Sequence, residues 1–164
     1  MPISIQNIIV QFIALPCWAV VAGEGSGSMV NLIFGEKTPR DKSLGNPHLS
    51  DVYRSNRSDY SIFIQSSSWL LEKNDQEVCS SESDNSNSGP MVTGLANLLS
   101  LHVRHIEYIA EQGLYIDFQN DYTLSIFFGD EEPQDEELDY LTIYCPGSNI
   151  TINTANQIET NKNG

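Results

Sequence analysis

Two stretches of the chain show the same succession of patterns, and this repetition restricts the fold more than any other feature. Each stretch begins with apolar residues three or four positions apart, the spacing of one helix face. In the first stretch these residues are Ile5, Ile8, Ile9, Phe12 and Ile13. In the second they are Val92, Leu95, Leu98 and Leu99, which follow the break Gly89-Pro90. The sequence therefore predicts short helices near residues 4–14 and 91–99.

Strand-like runs follow both predicted helices. In the first stretch, runs at 18–22 and 29–34 flank the glycine-rich segment 23–27, which is typical of a flexible hairpin connection. In the second stretch, the corresponding runs lie at 101–109 and 114–118. Since strands joined by short turns pair antiparallel, each stretch is expected to form a meander.

The similarity continues further along the chain. Residues 60–64 resemble 122–127, and 69–71 have a counterpart in 140–144. The expected fold is α+β: a β-rich, antiparallel twisted sheet assembly with two short helices. The repetition has two interpretations, an internal duplication of a helix-plus-meander unit or the general likeness of any two β-meanders. The first copy would carry an insertion at 36–59, which is predicted to be an irregular loop.

The chain of 164 residues has the length of a single domain. We expect one globular domain over 1–152, with pseudo-repeats at 3–79 and 91–152. Residues 80–90 are predicted to be a mobile linking loop, because its Ser, Asn and Asp residues offer no apolar anchor. Residues 153–164 are predicted to be a polar C-terminal tail.

The charge of the chain is strongly acidic and unevenly placed. Eight Lys and Arg residues stand against 22 Asp and Glu residues, a formal charge of −14. Residues 1–60 hold five basic and five acidic side chains, whereas the rest of the chain holds three basic and 17 acidic ones. Such a field repels nucleic acid and anionic lipid and attracts basic proteins. Solubility explains acidity in general, but evenly spread charges would serve solubility equally well.

The densest feature is an acidic run at 130–139, with seven carboxylates in ten positions. Three interpretations are open: a solvated connection between strands, a calcium loop, or a docking surface for Lys and Arg of a protein partner. The run lacks the glycine and the spaced Asp or Asn residues of a calcium loop. The predicted partner-binding residues are Asp130, Glu131, Glu132, Asp135, Glu136, Glu137 and Asp139.

Motifs for catalysis or metal binding are not found in the sequence. The three cysteines, Cys17, Cys79 and Cys145, are an odd and widely spaced set, which suits a reducing compartment. His102 and His105 are three positions apart, an odd offset that in a regular strand places them on opposite faces. We therefore expect no catalytic residue, no cofactor, no metal and no small-molecule ligand.

The N-terminal apolar segment, 8–22, does not predict export. No Lys or Arg precedes it, and its 15 residues are too few to span a bilayer. The expected compartment is the cytoplasm, with neither membrane nor nucleic acid as a partner.

The acidic run at 130–139 and the paired meanders at 18–34 and 101–128 together give the chain a family resemblance. It resembles the immunity proteins of bacterial contact-dependent inhibition and related polymorphic toxin systems. The resemblance implies a protein, not an enzyme, that binds one cognate toxin domain and blocks it in the producing cell. A basic, nuclease-type toxin would suit the charge.

Two other classes of function are alternatives to the immunity protein. One is an enzyme or small-ligand binder whose site is assembled from dispersed residues such as His48, His102, His105 and the carboxylates. The other is an adaptor protein unrelated to toxins.

Overall fold

The helical segments are short in the computed structural model, which describes residues 4–129 and 138–162. Helix α1 (Ile5–Ile9) continues as a 3-10 turn to Phe12, α2 spans Asp51–Ser55, and α3 (Pro90–Leu95) continues as a 3-10 turn to Leu98. The Ser4 hydroxyl caps α1 by accepting from the Asn7 N–H. Among the described residues, no helix has the length and apolar character that crossing a membrane requires.

The described residues also form thirteen strands, whose bounds follow in chain order. They are β1 Cys17–Val21, β2 Val30–Phe34, β3 Thr38–Pro39, β4 Asn56–Arg57, β5 Tyr60–Ile64, β6 Ser68–Lys73, β7 Gln76–Ser80, β8 Val103–Ile109, β9 Gly113–Phe118, β10 Tyr122–Phe127, β11 Asp139–Cys145, β12 Ser148–Asn153 and β13 Ile158–Lys162.

The strands form two large sheets and one two-stranded ribbon. Sheet I has the order β1-β2-β5-β11-β12-β13, sheet II has the order β7-β6-β10-β9-β8, and β3 pairs with β4. Every pairing between these strands is antiparallel. The predicted α+β, antiparallel fold and the two predicted helices are thereby confirmed.

The two halves of the chain complete each other's sheets. The first half supplies β1, β2 and β5 to sheet I and β6 and β7 to sheet II. The second half supplies β8, β9 and β10 to sheet II and β11 and β12 to sheet I. Sheet I therefore joins three strands of the first half to β11, β12 and the edge strand β13, sheet II joins three strands of the second half to two of the first, and neither half forms a complete sheet alone.

Equivalent residues of the two halves make equivalent contacts where β1 and β8 begin. The N–H of Ala14 donates to the Val103 carbonyl, and the N–H of Ser100 donates to the Cys17 carbonyl, both at 2.7 Å. Ala14 and Ser100 both have φ 73°, a left-handed conformation that ends the preceding 3-10 turn. The repeated backbone is a structural observation, and its origin by duplication stays a prediction.

The core lies between the two sheets. Phe34 of β2 and Phe118 of β9 stack across it with ring centroids 6.3 Å apart. The buried faces of both helical segments belong to the same cluster, including Ile8, Phe12 and Leu95. Each sheet has one face in this core and one face away from it, and on sheet I the second face is partly covered, since Ala19, Ile33 and Thr142 are also buried.

The predicted irregular loop at 36–59 has more structure than the sequence indicated. It contains the β3–β4 ribbon and α2, whose first turn is capped by the Ser50 hydroxyl. It also packs beside Trp18, whose ring centroid lies 6.2 Å from that of Tyr53. Trp69, by contrast, is a core residue with 1% exposure.

The predicted polar tail and linking loop also differ from expectation. Asn153 is buried at the end of β12, and Ile158–Lys162 pairs with β12 as an edge strand with every residue exposed. Backbone pairing needs no apolar side chains at an edge, which is why hydropathy missed this strand. In the linking segment, Asn85 donates from Nδ2 to the carbonyl oxygens of Gly23 and Gly27 at 3.3 and 3.0 Å. The mobility of that segment stays a prediction.

Candidate functional site

Most of the predicted partner-binding residues lie outside the described residues. Asp130, Glu131, Glu132, Asp135, Glu136 and Glu137 fall within 130–137. Asp139 is described: it is the first residue of β11, half-buried, and lies opposite Asn153 of β12.

Both attachment points of the acidic run are fixed to the framework. Before it, Phe128 stacks on Tyr140 with ring centroids 4.8 Å apart, and its N–H donates to the Gln112 carbonyl at 2.8 Å. Near its end, Leu138 accepts from the Thr154 N–H at 2.7 Å and donates to the Thr154 hydroxyl at 3.1 Å. The run thus connects sheet II to sheet I between two anchored ends.

Strand β10 of sheet II ends just before the acidic run, and the outer face of this sheet is itself acidic. Register places Leu70, Ser125, Tyr115 and Glu107 in one row across β6, β10, β9 and β8. The next row contains Glu72, Thr123, Asp117 and His105, and Glu72 lies opposite Glu77 of β7. We call the following outward side chains the acidic face: Leu70, Glu72, Glu77, Glu107, Tyr115, Asp117 and Phe127.

The centre of the acidic face is apolar. Tyr115 and Phe127 meet edge to face with ring centroids 6.3 Å apart, and both are half-buried. Ser125 between them has 8% exposure because neighbouring side chains cover it. Aromatic side chains beside charged ones are a common composition of protein-binding surfaces.

The described carboxylates after residue 60 form no ion pair within the described chain. The two ion pairs among the described residues are Arg54–Asp51 at 3.7 Å and Arg57–Asp59 at 3.3 Å, both in the insertion. Lys73, one of the few cations after residue 60, lies over the Tyr122 ring at 4.8 Å from its centroid. The acidic face therefore keeps its carboxylates available to external cations.

Concave surfaces lie on the outer sides of both sheets. A cleft of about 470 Å³ at one end of the acidic face is lined by Asp75, Asp117 and Asp121, with Arg104 and His105 beside them. On sheet I a cleft of about 480 Å³ is lined mainly by uncharged side chains, including Phe63 and Tyr144. The charged cleft extends the acidic surface toward the turn between β6 and β7.

The three histidines belong to no candidate metal-binding cluster among the described residues. A β-bulge interrupts the pairing between Val103 and His105, so the strand geometry is not the regular one assumed from sequence. His102 Nδ1 makes a hydrogen bond of 2.8 Å with the Ala14 carbonyl oxygen. His105 and His48 are exposed. In the described ranges, no group of three or more His, Cys, Asp or Glu side chains could hold a metal ion.

All three cysteines are buried and none is in a disulfide. Burial raises the pKa of the Cys17 thiol to about 12. Burial, with a smaller contribution from Glu77, raises the pKa of Cys79 to about 11. Because the thiolate is the reactive form, these side chains are unsuited to nucleophilic chemistry near neutral pH.

The cysteines should accordingly resist alkylation in the native protein. At about pH 8 we expect iodoacetamide to label none of them within an hour-scale incubation, because all three native thiols are buried. Mass spectrometry before and after unfolding in guanidinium measures the labelling, and three adducts should form after unfolding. Rapid modification of one thiol in the native state would contradict the burial described above.

Comparison of the chain with protein-family models, curated proteins and solved structures finds no match. Function has therefore to be inferred from the surface itself.

Proposed function

We propose that this chain is an immunity protein of the cytoplasm that binds and neutralises a basic, nuclease-type toxin domain. The proposal depends on one observation: none of the described carboxylates after residue 60 forms an ion pair within the described chain. Like charges held together on one surface repel each other, and a cationic partner relieves this repulsion. The immunity-protein resemblance of the sequence agrees with such a partner.

The acidic run and the acidic face would act together in the proposed encounter. The run begins at residue 130, three positions after Phe127, which is a member of the acidic face. The chain is anchored on either side of 130–137 at Phe128 and Leu138. Complementary charge raises association rates toward 10⁸–10⁹ M⁻¹s⁻¹ at low salt, against roughly 10⁵–10⁶ without steering. In this proposal the chain holds its partner by contact alone, with no catalytic residue, cofactor or metal.

Neutralisation tests the function directly. The chain would be co-expressed with a basic toxin domain encoded beside its gene, and growth and nucleic-acid cleavage would be measured. Restored growth and blocked cleavage are expected, with a stable complex of the two proteins on size-exclusion chromatography. A toxic neighbour that remains fully active beside the folded chain, or a neighbour that is acidic, would contradict the proposal.

The acidic run should govern the rate of association. In the variant with Asp135→Asn, Glu136→Gln and Glu137→Gln, we expect the association rate with the toxin to fall about tenfold at low salt, since steering raises on-rates by about 10–10³. Raising the salt concentration should reduce the difference, because the Debye length is about 8 Å at physiological ionic strength. Stopped-flow or biolayer kinetics across a salt series measure both effects.

A matched control neutralises three exposed carboxylates of the balanced first sixty residues, through Glu24→Gln, Glu36→Gln and Asp41→Asn. The net charge changes equally in both variants, so a general charge effect would slow both to the same extent. Equal rates for the native protein and the run variant at every salt concentration would leave the run as a solvated connection.

A further inference from the structure

The repeated architecture offers an internal comparison of the two outer faces. Register matches β1, β2 and β5 of sheet I to β8, β9 and β10 of sheet II, with the same bulge at the start of the first pair. By this match, Glu107 and Asp117 of sheet II correspond to Val21 and Ile33 of sheet I. The same framework thus carries carboxylates on one sheet and apolar side chains on the other.

The two remaining carboxylates of the acidic face, Glu72 and Glu77, also have uncharged counterparts on sheet I. Glu72 lies opposite Thr123 of β10 and Glu77 of β7, and the corresponding position on β11 is Tyr144, which lies opposite Asn149. Like charges directly opposite each other destabilise a sheet. The strand pairing itself does not require these charges, because the equivalent positions of sheet I lack them, and one of these, Ile33, is buried with 3% exposure whereas Asp117 is half-buried.

We propose that the acidic face is the docking surface for the toxin, and that an apolar side chain flanked by Lys or Arg seats on Leu70, Tyr115 and Phe127. This inference rests on the proposed function and names the contact that the function leaves open. Charge complementarity selects the occupant: a second copy of this chain carries the same −14 and is repelled, as are nucleic acid and anionic lipid. The aromatic side chains supply an apolar anchor for the partner, which the carboxylates alone do not.

A minimal probe of this chemistry is a capped pentapeptide with tryptophan between two pairs of lysines. Two-dimensional NMR of the full chain should show its amide shifts concentrated on β6, β9 and β10. A peptide with serine in place of tryptophan should bind at least about fivefold more weakly, since an anchor side chain is worth more than about 1 kcal/mol. A peptide with glutamates in place of the lysines should give no shifts.

Substitutions test whether the peptide binds to the acidic face or to another part of the surface. Tyr115→Ser should weaken the tryptophan peptide at least about fivefold. Phe63→Ser, a half-buried aromatic on the outer face of sheet I, is the matched control and should leave the affinity unchanged. If Tyr115→Ser unfolds the protein, the shape-preserving set Glu72→Gln, Glu107→Gln and Asp117→Asn replaces it with the same expected weakening. Shifts that map to sheet I, or no preference for tryptophan, would overturn the inference.

The toxin complex distinguishes failure of the inference from failure of the function. A Tyr115→Ser protein that neutralises the toxin with unchanged affinity removes the acidic face from the interface while the function stands. A native protein that neutralises no basic toxin, yet binds the tryptophan peptide on sheet II, removes the function while the surface stands.

Discussion

Replacing Trp69 with alanine is expected to lower the free energy of unfolding by about 3–5 kcal/mol. The indole has 1% exposure on β6, opposite Ile126, in the core between the two sheets. Its ring N–H donates to the Ser28 carbonyl at 2.9 Å, so the substitution leaves both a cavity and an unpaired carbonyl. Urea denaturation followed by far-UV circular dichroism measures the loss without depending on tryptophan emission.

Trp18→Ala is the matched control for the same change of side chain. Trp18 is half-buried and packs beside Tyr53 and Lys37 of the insertion, outside the core cluster. A side chain that stays partly exposed has less transfer free energy to lose, so we expect a smaller destabilisation, about 1–2 kcal/mol. Equal losses for the two variants would contradict the placement of Trp69 at the core and Trp18 beside it.

Local patterns predicted the elements of this fold well. In the predicted helical segment Ile5, Ile8, Ile9 and Phe12 are buried, whereas Ile13, the last residue of the pattern, follows the segment and is 42% exposed. The glycine-rich segment 23–27 connects β1 to β2 as a hairpin loop, as predicted. Each of these patterns is read within about ten residues, where backbone geometry and burial of one face directly constrain the sequence.

The assignment of strands to sheets could not be predicted in the same way. β5 pairs with β11 and β6 pairs with β10, so the last two strands of each half lie in the sheet of the other half. The sequence patterns predict that each repeat is a self-contained helix-plus-meander unit. Period-two alternation states that one face is buried, but it does not state which distant strand lies alongside.

The candidate site was predictable in part. The charge density of 130–139 is visible in the sequence and led to a docking surface. Glu72, Glu107 and Asp117 carry no such signal, because each is a single acidic residue within an alternating strand. Strand register alone brings them to one face around Tyr115. The available signal was the outward position of each in its strand, which becomes informative once the pairing is known.

Gly113→Ala is expected to have a stability effect comparable to that of the core tryptophan. Gly113 is buried in β9 opposite Phe127, and a Cβ there would overlap the carbonyl oxygen of Ile126. That neighbour is backbone, so it cannot move aside without separating β9 from β10. Overpacking costs typically 1–3 kcal/mol and more where backbone must shift, so we expect a loss of about 3 kcal/mol or more.

Gly45→Ala provides the control, because Gly45 is exposed and a Cβ there has nothing within 4 Å. The control should change the free energy of unfolding by less than about 1 kcal/mol, with a gain possible from the reduced freedom of the unfolded chain. Since Tyr115 and Phe127 depend on the β9–β10 pairing for their contact, Gly113→Ala should also weaken the tryptophan peptide. A Gly113→Ala protein as stable as the control would show that β9 and β10 do not approach as closely as their register requires, and the aromatic centre of the acidic face would then lose its support.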